Sequence, residues 1–237
     1  MAMTRHNMTL SRRLVGEFLG TAFLLATVIG SGIMGERLAG GNLAIALLGN
    51  TLATGAGLVA LILTFGPISG AHFNPAVTLG DVYLGHLHWS HAVMYIGVQI
   101  AGAFAGVAAA HGMFGEAVFF ASQHARTGPA QWWSECVATF GLLAVIISCS
   151  RTRPGVTPFA VAAYITAAYW FTSSTSFANP AVTLARAASD TFAGIRPQDA
   201  PGFIVAQLIG AAAAVATFKW LYASDKKASP HDHHDLP

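Results

Sequence analysis

Two asparagines carry the first chemical signal in this chain. Asn74 and Asn179 each open the same six residues, Asn-Pro-Ala-Val-Thr-Leu, once over 74–79 and again over 179–184. An Asn caps a helix through its amide oxygen, and a Pro in the next place loses nothing by its missing N–H. The capping amide keeps its NH₂ group as a donor for whatever lies in front of the helix. At usual residue frequencies, two chance Asn-Pro-Ala triplets in a chain this long have odds on the order of one in a thousand. Two identical hexapeptides are rarer still, so the repeat is structural. A second signal comes from Glu17 and Glu135, each inside a long apolar stretch. A carboxylate there is costly and marks either function or a specific polar partner.

Other chemistry is weakly represented. No nucleophile–base pair or metal-ligand set stands out, so an enzyme is not expected, nor a metal or cofactor. Cys136 and Cys149 share one apolar segment and suggest no disulfide framework. The tail carries His231-Asp232-His233-His234-Asp235, a tract able to bind metal but without a fixed scaffold; a disordered tail over 224–237 is the reading adopted.

The elements that must position these residues are membrane helices. The 237 residues are 54% hydrophobic and 9% charged, where a soluble domain has about 25% charged residues. The net charge of +2 gives no reason to expect nucleic acid. Six stretches are long and apolar enough to cross about 30 Å of hydrocarbon: 12–34, 43–65, 90–112, 131–149, 156–173 and 201–223. Residues 1–11 are polar and expected to be disordered, and the first apolar run reads as a retained helix rather than a leader. After each Asn come only about ten helix-compatible residues, 75–84 and 180–189, or about 15 Å, half a membrane. Irregular backbone at membrane depth survives only in protein or beside a water-filled cavity. The half-helices are therefore expected to dip in from opposite faces and meet at the midplane.

The halves repeat beyond the hexapeptide. Glu17 and Thr21 match Glu135 and Thr139, while Tyr95, Gln99 and Gly102 match Phe203, Gln207 and Gly210. Three spans per half invert the second copy relative to the first, an inverted repeat with broken helices covering about 12–112 and 131–223. Small residues at helix spacing (Gly102, Ala103, Gly106; Gly210, Ala211, Ala214) allow close helix contact. With both termini cytoplasmic, Arg5, Arg12, Arg13, Arg151, Arg153, Lys219, Lys226 and Lys227 lie inside, against Arg37, Arg126, Arg186 and Arg196 outside, in accord with the positive-inside rule.

On these residues, and above all on Ser69-Gly70-Ala71-His72-Phe73-Asn74-Pro75-Ala76-Val77-Thr78, the chain resembles the aquaporins, or major intrinsic proteins, over about 12–223. The resemblance implies an all-α channel: six transmembrane helices plus two half-helices around a pore, in a homotetramer embedded in the lipid bilayer. It assigns Asn74, Pro75, Ala76, Asn179, Pro180 and Ala181 to the pore centre. It makes Glu17 and Glu135 braces for the loops that lead into the half-helices, with Gln99 and Gln207 as packing groups. Two facing helix N-termini repel cations and favour small neutral solutes, the barrier known for aquaporin-type pores.

Departures from the family pattern lie at the constriction. Aquaporins carry an Arg three residues after the second Asn; here that residue is Val182. Counting without gaps, its partners are Thr54, Ala167 and Ser176, none charged, so a wide constriction without a cationic donor is expected. With a one-residue shift in the loop, Phe177 enters it instead. Asn179, Val182 and Arg186 share one helix face; Asp81 occupies the place of Arg186 in the first half. Arg186 and Asp81 are candidate vestibule residues of opposite charge, with His72, two residues before the first Asn, and Phe177 as others. Val at the Arg position resembles bacterial channels linked to arsenic resistance. This implies an inner-membrane channel for arsenite, As(OH)₃, and glycerol-type solutes. Two alternatives stay open: a general facilitator for water, ammonia or urea, and a secondary transporter on an inverted repeat.

Overall fold

A computed structural model describes residues 8–223; the expected disorder of residues 1–7 and the His-rich tail over 224–237 lie outside the described residues. The chain forms eight α-helices there: α1 Leu10–Leu38, α2 Leu43–Ser69, α3 Pro75–Tyr83, α4 Trp89–Phe114, α5 Pro129–Thr152, α6 Thr157–Phe171, α7 Pro180–Arg186 and α8 Ala200–Leu221. No strand occurs among the described residues. Local chemistry sets several boundaries. Asn42 Oδ1 accepts from Ala44 N and Ile45 N at the start of α2, and Gly70, at φ 96°, ends that helix in the left-handed conformation glycine tolerates. Pro75, Pro129 and Pro180 each occupy the first position of a helix.

Of the boundaries that differ from expectation, three matter most. The first helix starts at Leu10, so the polar end is ordered from Met8 onward rather than from 12. The fifth span, expected over 156–173, is α6 with 15 residues, preceded by a 3₁₀ turn at Pro154–Val156. At 1.5 Å per residue it reaches only about 22 Å; the other five long helices have the length and apolarity to cross a membrane unaided. The second half-helix stops at Arg186, three residues short of expectation, where the chain turns through hydrogen bonds from Ala187 N to Leu184 O and from Ala188 N to Ala185 O.

Packing repeats the sequence repeat. In the first half α1 packs against α2 and α4, and in the second α5 packs against α6 and α8; α2 and α6 join the halves. Glycines permit the closest approaches. A Cβ on Gly102 would stand 2.4 Å from Phe18 O of α1, and one on Gly210 would stand 2.2 Å from Cys136 O of α5. Large apolar side chains such as Phe23, Leu52, Trp133, Val205 and Ile209 point outward. The interior holds polar groups including Glu17, Gln99, Glu135 and Gln207. Lipid is the solvent that suits such an inside-out arrangement.

Candidate functional site

The site begins with two loops whose backbone no helix satisfies. Residues 70–73 and 175–178 lead into α3 and α7, and both use left-handed conformations: Gly70, Ala71 and Phe73 in the first, Thr175, Ser176 and Ala178 in the second. Such φ values cost a non-glycine residue about 1–3 kcal/mol each, so something must hold them. Glu17 and Glu135 do so. Glu17 Oε1 accepts from Ser69 Oγ (2.6 Å) and His72 N (3.0 Å), and Oε2 from Phe73 N (2.7 Å) and Gln99 Nε2 (2.8 Å). Glu135 accepts from Phe177 N (2.8 Å), Ala178 N (2.8 Å) and Gln207 Nε2 (2.6 Å). Each glutamine passes a second bond to the half-helix threonine, Gln99 to Thr78 and Gln207 to Thr183, both at 2.9 Å. Neither carboxylate is exposed and neither lines the central cavity.

That bracing fixes the asparagines. Asn74 Oδ1 caps α3 by accepting from Ala76 N (2.9 Å), and its Nδ2 donates to Ala178 O of the opposite loop (2.7 Å). Asn179 Oδ1 accepts from Ala181 N (3.0 Å) and Val182 N (3.3 Å), and its Nδ2 donates to Phe73 O (2.8 Å). The two half-helices thus face each other N-terminus to N-terminus, laced across the join. An amide NH₂ has two hydrogens, so one on each Asn stays free for the cavity both side chains line.

The cavity encloses about 820 Å³ and runs past both asparagines. At one end stand Asp81, His86 and Arg151, and at the other Tyr169, Phe177 and Arg186. Of the four residues expected at the constriction, Thr54, Ser176 and Val182 line the cavity. Ala167 does not: it is exposed on the outer face of α6. Tyr169 lines the cavity in its stead, one helical turn beyond Ile165 and two beyond Val161, with its hydroxyl 3.3 Å from Thr54 Oγ1. The gapless count fails because α6 ends at Phe171 and an irregular run of eight residues, 172–179, absorbs the difference.

The remaining candidates form a contrasted pair. His72 Nδ1 lies 3.1 Å from Thr78 Oγ1, and its Nε2 lies 3.4 Å from Asp81 Oδ2; His86 Nδ1 meets Asp81 Oδ1 at 3.0 Å. At the corresponding place in the second half, the guanidinium of Arg186 lies over the Phe177 ring, 3.4 Å from its centroid, while its Nε donates to Ala193 O. Sequence reasoning missed Arg126, whose guanidinium stands 5.1 Å from the same ring and donates to Gly194 O (2.8 Å) and Ser174 O (3.3 Å). Burial pushes Arg126 down to about 10, with Glu135 pulling the other way. His124 is likewise lowered, first by burial and then by Arg126 and Arg186. Asp199 accepts hydrogen bonds from Arg196 Nε (3.0 Å) and Arg126 N (2.9 Å).

Capped half-helices meeting beside a continuous cavity, within a bundle whose surface suits lipid, define a multi-pass membrane channel for small neutral solutes rather than an enzyme. The chain belongs to the major intrinsic protein family, which it matches over residues 4–172 and 155–235. It is 54% identical over 212 residues to aquaglyceroporin AqpS of Rhizobium meliloti (strain 1021), covering 90% of this chain and 91% of that one. A shorter likeness, 33% over 108 residues, links it to the probable aquaporin NIP5-1 of Arabidopsis thaliana, covering 46% of this chain and 34% of that protein. Its fold is that of the aquaglyceroporin from Plasmodium falciparum, with a TM-score of 0.67, 21% identity, and 89% of this chain and 96% of the other covered.

Proposed function

We propose that this protein is a wide, aquaglyceroporin-type channel that passes water, glycerol-type polyols and arsenite as As(OH)₃ down their gradients. The observation that carries the reading is Val182: an apolar side chain lines the cavity three residues after Asn179, in a wall that also holds the Thr54–Tyr169 hydroxyl pair. Diameter and the donors and acceptors along the wall set selectivity in such pores. A wall that combines hydroxyl and apolar side chains suits neutral solutes rich in hydroxyl groups. The 54% identity to a protein named an aquaglyceroporin supports the same class.

In this reading Asn74 and Asn179 guide solute through the middle with Pro75, Ala76, Pro180 and Ala181 setting the turn. Thr54, Tyr169, Ser176 and Val182 form the constriction, and His72 and Asp81 line the opposite mouth. The protein sits in a bacterial inner membrane as a homotetramer with both termini cytoplasmic, which puts the Asp81 end inside and the Arg186 end outside. Exclusion of ions falls mainly to the paired helix N-termini.

The test uses purified protein in liposomes, with entry of arsenite, glycerol and water followed in parallel for wild type and Val182→Arg. The wild type is expected to pass all three without saturation and without response to proton or sodium gradients. Val182→Arg is expected to cut glycerol and arsenite flux about tenfold, the equivalent of roughly 1.4 kcal/mol on the barrier. A wild type that passes water alone, or flux coupled to an ion gradient, would overturn the proposal.

A further inference from the structure

We infer that the Arg186 end of the channel contains a docking site for a small singly charged oxyanion, built from Arg186 and Ser176. This deepens the channel reading and rests on it for the cavity being the solute path. Arg186 is 2% exposed and lines the cavity. Among the described residues its side chain makes one hydrogen bond, from Nε to Ala193 O, and its guanidinium carbon is held over the Phe177 ring. No carboxylate stands within ion-pair distance of it among the described residues.

The neighbouring carboxylates are engaged elsewhere: Glu135 with Phe177 N, Ala178 N and Gln207, and Asp199 with Arg196 and Arg126 N. The two Nη groups therefore keep their donors, and guanidinium donors held in a fixed plane suit two oxygens of one anion.

A second residue of the same cavity wall is polar and unpartnered. Ser176 is 3% exposed and lines the cavity, yet its Oγ has no hydrogen-bond partner among the described residues. A buried hydroxyl without a partner costs about 1–3 kcal/mol, and a ligand oxygen relieves it. Ser176 directly precedes Phe177, over whose ring Arg186 lies, so one loop carries both the hydroxyl and the ring that seats the cation. In the first half the equivalent of Arg186 is Asp81, paired with His72, so this feature belongs to one end only. An occupant there obstructs neutral solutes, because both groups line their route.

Sodium formate is the probe. Calorimetric titration of purified protein is expected to show saturable formate binding at neutral pH, and sodium chloride at equal ionic strength is expected to give none. Formate is expected to slow glycerol entry into proteoliposomes over the same concentration range. Arg186→Gln should weaken binding at least about tenfold, as loss of a charge-assisted donor does. Ser176→Ala, which leaves the buried cation in place, should weaken it about threefold. No binding by the wild type, equal affinity in Arg186→Gln or an equal chloride response overturns the inference. Glycerol flux without formate binding would sink this site and leave the channel standing. Formate binding without glycerol flux would do the reverse.

Discussion

The two halves of the molecule share a frame and differ in what the frame presents. Glu17 with Gln99 and Thr78 is reproduced by Glu135 with Gln207 and Thr183, down to the two backbone N–H groups each carboxylate accepts. The asparagines even trade bonds across the join. Beyond the frame the copies part: His72 pairs with Asp81 in one, while Phe177 stacks with Arg186 in the other. Backbone that must be solvated by protein at membrane depth admits few solutions, so both halves keep the same one. Side chains facing a cavity are free of that demand, and they carry the asymmetry on which selectivity acts.

The frame gives the largest expected effects. Glu17→Ala strands the donors of Ser69, His72 N, Phe73 N and Gln99, and Glu135→Ala those of Ser174, Phe177 N, Ala178 N and Gln207, at about 1–3 kcal/mol for each buried group left unpaired. Both variants should melt well below wild type in detergent, by similar amounts. A loss confined to one variant would show that the halves are energetically unlike.

Next come the close helix contacts. Gly102→Ala and Gly210→Ala each drive a methyl into a backbone carbonyl that cannot swing aside, a strain of about 1–3 kcal/mol. Similar losses are expected from both; a loss confined to one half would mean that the other half opens more easily.

At the constriction the sharpest test is positional. Thr54→Phe is expected to cut glycerol flux about tenfold, or roughly 1.4 kcal/mol, while Ala167→Phe, on the exposed face of α6, should leave it near wild type. A reversal would restore Ala167 to the pore.

Asp81→Asn should have the smallest effect. The amide keeps an oxygen that accepts where the carboxylate did, towards His72 as well as His86. The His86 pair, 61% exposed on the histidine side, is open to solvent and contributes about 1 kcal/mol or less. A thermal shift as large as that of Arg186→Gln, where the cation is buried, would erase the contrast between the ends.

Much of this was legible in the residues. The hexapeptide repeat marks both half-helices, and their Asn caps and N1 prolines start α3 and α7 where expected. Intramembrane glutamates predict polar partners because a lone carboxylate in hydrocarbon is too costly, and the loops supply those partners. What was hidden lies in irregular backbone. A count without gaps chose Ala167 since nothing in the letters says how far a left-handed loop advances the chain. The apolar period Val161, Ile165, Tyr169 was the available clue. Arg126 gave no signal at all: its place depends on the segment before α5 folding onto the chain after α7, as in the bonds from Phe120 N to Ala188 O and Ser122 N to Ala187 O.

By itself, then, the sequence determined the solvent, the inverted repeat, the capped half-helices and the need to satisfy two buried carboxylates. Composition, period and desolvation cost are local properties that each segment carries with it. Only the tertiary structure decided which hydroxyls meet on the cavity wall, that Tyr169 lines it where Ala167 does not, and that Arg186 is buried against Phe177. Those outcomes depend on where non-helical loops and distant segments come to rest, and that is fixed by packing between elements rather than within them.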